Sequence, residues 1–223
     1  MNPIPIIVAG VALAGFIVSP IIIAILRKKL RNKSVLFLGP QQSGKTTLLN
    51  WLLKGDDTKE HIQTGSLETS RNDNAPIEYQ DEKYNIRYSD MGGAIENLSR
   101  GRLEKYYHEH DVIIFIFNIA LYLDNEDYKD DVNARIEALY QLELRSKDKK
   151  STLLIGSHRD AIPTCANSNP DKIRGEIWNR MIQKQAGKEY FCLFEDNDLV
   201  LANLKEKKEI DGIFHQLIKK MKK

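Results

Sequence analysis

Gly39-Pro40-Gln41-Gln42-Ser43-Gly44-Lys45-Thr46 carries the residue types and spacing of a polyphosphate cradle, G-x-x-x-x-G-K-[ST]. Gly39 and Gly44 allow backbone angles and a close approach that a Cβ would block. The backbone of Gln42, Ser43, Gly44, Lys45, Thr46 and Thr47 is expected to surround the phosphates, where the N-terminus of a following helix favours anions. Lys45, expected as an exposed loop residue, supplies a point charge for the β- and γ-phosphates. The Thr46 hydroxyl is placed to hold Mg²⁺. Such a loop works only between a strand and a helix. Val35-Leu36-Phe37-Leu38 before it has strand character, and Thr47 to Leu53 after it reads as a helix.

Three further segments fall at the carboxyl ends of expected strands, where open α/β sheets bind their ligands. Asp90 follows a strand over 84–89 and could hold Mg²⁺ through water. Gly92 and Gly93 leave their backbone free to approach a γ-phosphate. Lys45, Thr46 and Gly93 are therefore the expected catalytic contacts. Ser157-His158-Arg159-Asp160 follows a strand over 152–156. A carboxylate at Asp160 can accept hydrogen bonds from the N1 and 2-amino groups of guanine, a donor pair that adenine lacks. His158 joins it in the expected purine site. Ala202-Asn203-Leu204 precedes the last helix, where a backbone N–H could reach the guanine O6. The metal set is then Thr46, Asp90 and a threonine upstream.

Other segments build the frame. Asp56 to Asn74 is polar and reads as a surface loop. Pro76–Tyr79 and Tyr84–Tyr88 alternate apolar and polar residues and predict a strand pair turning at Asp81-Glu82. A helical stretch ends near His110. Val112 to Phe117 is continuously apolar, as in a central parallel strand covered on both faces. Helices are expected over 131–145, 170–185 and 205–222, and strands over 152–155 and 190–201. The last helix places Ile210, Ile213, Phe214, Leu217, Ile218 and Met221 on one face. Alternating strands and helices predict a three-layer α/β domain with a mainly parallel sheet.

The first residues differ from the rest. Ile4 to Leu26 contain no charged side chain. As a helix they would reach roughly 34 Å, enough for a hydrocarbon core of about 30 Å. Arg27, Lys28, Lys29, Arg31 and Lys33 follow the apolar stretch, whereas a cleaved signal peptide carries its positive charge before it. The expected organisation is a transmembrane anchor over 1–26, a basic linker over 27–33 and a nucleotide-binding domain over 34–223. The basic flank predicts a single-pass protein whose domain is cytoplasmic. The net charge of +2 gives no reason to expect nucleic acid. Cys165 and Cys192 form no stapled framework and are expected as reduced thiols.

The order of these motifs resembles a small GTPase of the Ras superfamily over residues 33–222. Within it the chain is similar to the Arf group and to the signal recognition particle receptor β subunit. Asp90-Met91-Gly92-Gly93 resembles the Arf D-V-G-G. Arg102-Leu103 through Tyr106-Tyr107 into Asp111-Val112-Ile113-Ile114-Phe115 resembles the Arf approach to its central strand. An N-terminal span joined directly to the domain resembles the receptor subunit. The resemblance implies GTP and GDP as ligands, Mg²⁺, switch regions over 56–75 and 91–105, and Thr64, or Thr69 second, as the switch threonine on the metal. It implies a protein effector or co-receptor at the membrane. Ala94 stands where the family carries its water-orienting Gln, which implies slow intrinsic hydrolysis. Ser157 and His158 replace Asn and Lys of the purine motif. Ala202 and Leu204 depart from the third motif's Ser and Lys.

Overall fold

The computed structural model describes residues 33–54, 73–79, 82–90, 100–162, 170–183, 194 and 198–222. Strand β1 (Ser34–Leu38) leads into helix α1 (Lys45–Lys54). Strands β2 (Asp73–Tyr79) and β3 (Glu82–Asp90) follow, then α2 (Arg100–Glu109), β4 (Val112–Asn118), α3 (Ile119–Asp124) and α4 (Glu126–Arg145). The order closes with β5 (Ser151–Ser157), α5 (Pro170–Gln183), β6 (Leu199–Leu201) and α6 (Lys207–Lys222).

The strands form one sheet in the order β2-β3-β1-β4-β5-β6. Only the β2–β3 pair is antiparallel; every other neighbour is parallel. The expected α/β architecture is therefore present. Strand alternation divides the core into two layers. Val35, Phe37, Val112, Ile114, Ile116, Leu153 and Ile155 meet α1 and α6 on one face. Leu36, Leu38, Ile113, Phe115, Phe117 and Leu154 meet α2 through α5 on the other. This double burial is why Val112 to Phe117 read as an unbroken apolar run.

Several boundaries differ from the sequence reading. The β2–β3 register pairs Tyr79 with Glu82, so Glu82, expected in the turn, is already strand. Asp73 and Asn74, expected in a loop, lie in β2, and Asp90 ends β3 rather than following it. α4 begins at Glu126, and α3 was not anticipated. Two asparagines start these helices: Asn118 Oδ1 accepts the Leu121 N–H at 3.1 Å, and Asn125 Oδ1 accepts the Tyr128 N–H at 2.9 Å. In the sequence these caps sit beside an apolar strand and a polar stretch, and neither neighbour signals a helix. Of the strand expected over 190–201, Leu199–Leu201 pair with β5.

Lys33 and Ser34 are fastened where the domain begins. Asp111 accepts the Ser34 N–H at 2.8 Å and the Ser34 hydroxyl at 3.0 Å, and pairs with Lys33 at 3.4 Å. Burial opposes ionisation of Asp111, but these contacts hold its pKa below the ordinary carboxylate value. Among the described residues no helix is long and apolar enough to cross a membrane. The expected anchor over 1–26 and residues 27–32 of the linker lie outside the described residues, as do Thr64, Thr69, Gly93, Ala94, Cys165 and Cys192.

Candidate nucleotide site

β1 and α1 shape the phosphate loop through backbone constraints. Gly39 has φ +150°, and a Cβ there would lie 1.9 Å from the Ile116 carbonyl oxygen on β4. The loop thus presses directly on the neighbouring strand, which only glycine permits. Gln42, exposed, takes a left-handed φ of 59°, and Gly44 a φ of +88°. A Cβ on Gly44 would meet Leu204 Cδ1 at 2.8 Å. From Gly44 the chain turns into α1, whose first bond runs from the Leu48 N–H to the Gly44 carbonyl at 3.0 Å. The amides of a first helical turn have no partners within the helix, so this end of α1 favours an anion. Ser43 is buried, and Thr46 and Thr47 are half-buried beside it.

Lys45 is buried, contrary to the exposed position expected for it. Its ammonium donates to the Gly39 carbonyl at 2.8 Å, the Pro40 carbonyl at 2.7 Å and Ser43 Oγ at 3.2 Å. Three donors meet three acceptors, so the charge is folded into the loop it serves. A desolvated ammonium held there is a stronger attractor for phosphate oxygens than one in water.

Asp90 lies in register with Phe37, at the carboxyl edge from which the phosphate loop springs. Thr46 and Asp90 therefore come to the same edge from α1 and β3. One hydroxyl and one carboxylate suit Mg²⁺, a hard cation that takes its remaining oxygens from phosphates and water. Among the described residues no group of three or more His, Cys, Asp or Glu side chains could hold a metal ion, and such a site needs none.

The purine end is assembled from β5, the turn after it and the loop before α6. Ser157 is fully buried. Its Oγ lies 2.6 Å from the Ser43 carbonyl, 3.1 Å from the Phe117 carbonyl and 2.8 Å from His158 Nδ1. His158 adopts a left-handed φ of 59° and turns the chain into a 3₁₀ turn over Arg159–Ala161. Burial lowers its pKa; Asp160 opposes that shift and Lys205 adds to it. The ring is therefore neutral at physiological pH. Asp160, exposed, pairs with Lys205 Nζ at 3.3 Å.

The expected backbone donors of the third motif are already engaged. The Ala202 N–H donates to the Gly156 carbonyl at 2.9 Å, extending the sheet. The Asn203 N–H donates to Glu209 Oε2 at 2.7 Å. The Lys205 N–H donates to Asn203 Oδ1 at 3.1 Å. Leu204 lies between them, and its carbonyl accepts the Trp51 indole N–H of α1 at 2.9 Å. The Ala202 and Asn203 N–H groups thus have protein partners, and Lys205 lies beside Asp160. Sequence reasoning missed Lys205, Glu209 and Trp51. Only the spacing between Asn203 and the buried face of α6 carried a signal for the first two, and none pointed to Trp51.

These parts bring the phosphate loop and the residues expected at a purine end to one edge of a parallel sheet. No curated protein matches the chain. The sequence model of the family described as 50S ribosome-binding GTPase matches residues 34–156. That match covers more than half of the chain and runs from β1 through the phosphate loop into β5, so the chain belongs to the 50S ribosome-binding GTPase family and carries a GTP-binding GTPase domain.

Proposed function

We propose that this chain is a membrane-anchored GTP-binding switch of the Arf-like kind, recruiting a protein effector or co-receptor at the cytoplasmic face. The observation that carries the reading is the polarity of β1. Its carboxyl end opens into the phosphate loop, and its amino end is pinned at Lys33, the last residue of the basic linker, and at Ser34. From Leu26 to Val35 the chain can extend roughly 30 Å at most, which keeps the amino-terminal edge of the sheet near the headgroups. Arg145, Lys147 and Lys149, shortly before the amino end of β5, and Lys219, near the end of α6, are exposed. Anionic lipid attracts such charges. The nucleotide site then faces the cytosol.

In this reading Lys45 draws the β- and γ-phosphates, Thr46 and Asp90 hold Mg²⁺, and Gly93 with Thr64 responds to the γ-phosphate. Mg²⁺ neutralises charge on the phosphate oxygens. Asp160 exchanges Lys205 for the guanine N1 and 2-amino donors, and the Leu204 N–H takes O6. His158, Ser157 and Asn203 hold the loops that place these groups.

Ala94 supports a second reading: a domain that keeps its GTP and serves as a membrane receptor or scaffold subunit. Single-turnover hydrolysis by wild type and Ala94→Gln separates the two. A clear gain in the variant favours the switch, and no gain favours the scaffold. Carbonate extraction in GDP, GTP-analogue and nucleotide-free states tests the anchor, since release in any one state overturns it. Affinity capture with the detergent-solubilised, GTP-loaded chain identifies the partner. Recovery of ribosomes, the partner in the family's description, would replace the protein effector in this account.

A further inference from the structure

We propose that Glu209 sets the purine selectivity of this site by holding its two base-reading loops in one geometry. The inference rests on the purine reading of Asp160 given above. Glu209 stands in the first turn of α6 and touches both loops. One carboxylate oxygen, Oε2, accepts the Asn203 N–H at 2.7 Å and the Arg159 Nε–H at 3.2 Å. The other oxygen pairs with the Arg159 guanidinium, completing a two-pronged contact. Arg159 and Glu209 are 17% and 18% exposed, so solvent screens this pair far less than a surface one.

Arg159 occupies the position between His158 and Asp160 that carries no expected base contact. Its backbone N–H also donates to the Ala202 carbonyl at 3.3 Å. Asn203 Nδ2 reaches Glu206 Oε1 at 3.1 Å, and Asn203 Oδ1 receives the Lys205 N–H. Lys205 in turn reaches Asp160. The contacts close a circuit from Asp160 through Lys205, Asn203 and Glu209 to Arg159, which is bonded in the chain to Asp160. Asn203, Glu209 and the Arg159 side chain are buried or half-buried within it. Asp160 and Lys205 are the exposed pair, and so the pair free to exchange partners when a base arrives.

This arrangement has a specific consequence. Guanine is read by a carboxylate on one loop and an amide on the other, so the distance between the loops decides the fit. A guanidinium fork is directional, and neither an amide nor a lysine reproduces it. Glu209 is thus a positioning residue: it touches no base, and its effect passes through Asp160 and Leu204. Phosphate binding, held by Lys45 and the amide cradle, should not depend on it.

The test uses the full chain in detergent, with GDP and ADP affinities for wild type, Glu209→Ala, Glu209→Gln and Arg159→Lys. Glu209→Gln retains an acceptor for the Asn203 N–H while removing the ion pair, and serves as the test variant if Glu209→Ala fails to fold. The expected result is about a tenfold fall in the GDP-to-ADP affinity ratio, with ADP binding unchanged. Arg159→Lys should give an intermediate fall. Combined with Asp160→Asn, the Glu209 effect should shrink to about twofold or less, since coupled residues are not additive. Equal losses for GDP and ADP would make Glu209 a mere prop, and unchanged affinity for both would show the loops held elsewhere; either overturns the inference. If Asp160→Asn alone leaves the ratio unchanged, the purine reading fails. A fall with Glu209→Gln would then still show that the 203–205 loop governs selectivity.

Discussion

The Ser157 hydroxyl lies 2.6 Å from the backbone carbonyl of Ser43, joining the purine motif to the middle of the phosphate loop. A serine hydroxyl has one hydrogen, and this carbonyl is its nearest acceptor. His158 Nδ1 lies 2.8 Å from the same hydroxyl. The two halves of the nucleotide site are thus linked by a buried contact.

Ser157→Ala should weaken both halves at once. Leaving the Ser43 carbonyl buried without this donor costs about 1–3 kcal/mol. Denaturant titration should show a loss of that size. GDP and ADP affinity should fall together, because the phosphate loop is what loosens.

Lys45→Ala should abolish nucleotide binding, and its folded state should also suffer. Removing the ammonium strands two buried carbonyls, of Gly39 and Pro40, at about 1 kcal/mol or more. Nucleotide binding and thermal melting are the measurements. Wild-type GTP affinity would overturn the phosphate-loop assignment.

Gly39→Ala and Gly44→Ala should differ sharply. At Gly39 the added Cβ would overlap backbone of β4, so a loss on the order of 4 kcal/mol or failure to fold is expected. At Gly44 it would meet the end of the Leu204 side chain, which can move, and the left-handed backbone adds about 1–2 kcal/mol. Leu204→Ala should recover the steric part of the second loss and none of the first. Equilibrium unfolding of the three single variants and the two double variants checks this.

Stability should fall as pH drops below His158's ordinary value of 6.5. The folded pKa is depressed, so the unfolded chain binds the proton first. The contribution is present above 6.5 and is lost as pH falls towards the folded value. His158→Gln should flatten the difference in unfolding free energy between about pH 7.5 and pH 5.5. Asp111, also depressed, acts in a separate window around and below 3.8 and leaves this comparison untouched. An equal slope in the variant would place the titration elsewhere.

What the sequence determined by itself was local or periodic. The phosphate loop was legible because its glycines, lysine and threonine must lie at fixed spacing within one short stretch, residues 39–46, to share one turn. The sheet was legible because Val112 to Phe117 are apolar on both faces. The buried stripe of α6 was legible from its spacing. The closing of the purine end was not, because it depends on groups far apart in sequence. Ser157 meets Ser43, Trp51 meets Leu204 and Arg159 meets Glu209 only once β1, β5 and α6 are packed. The choice among the amides of 202–205 was equally hidden. Four neighbouring N–H groups are chemically alike, and only the acceptors that folding places beside Ala202, Asn203 and Lys205 distinguish Leu204 from them. Lys45 shows the same division. Its identity came from the motif, but its burial appears only in the fold, where the Gly39 and Pro40 carbonyls and Ser43 Oγ surround its ammonium.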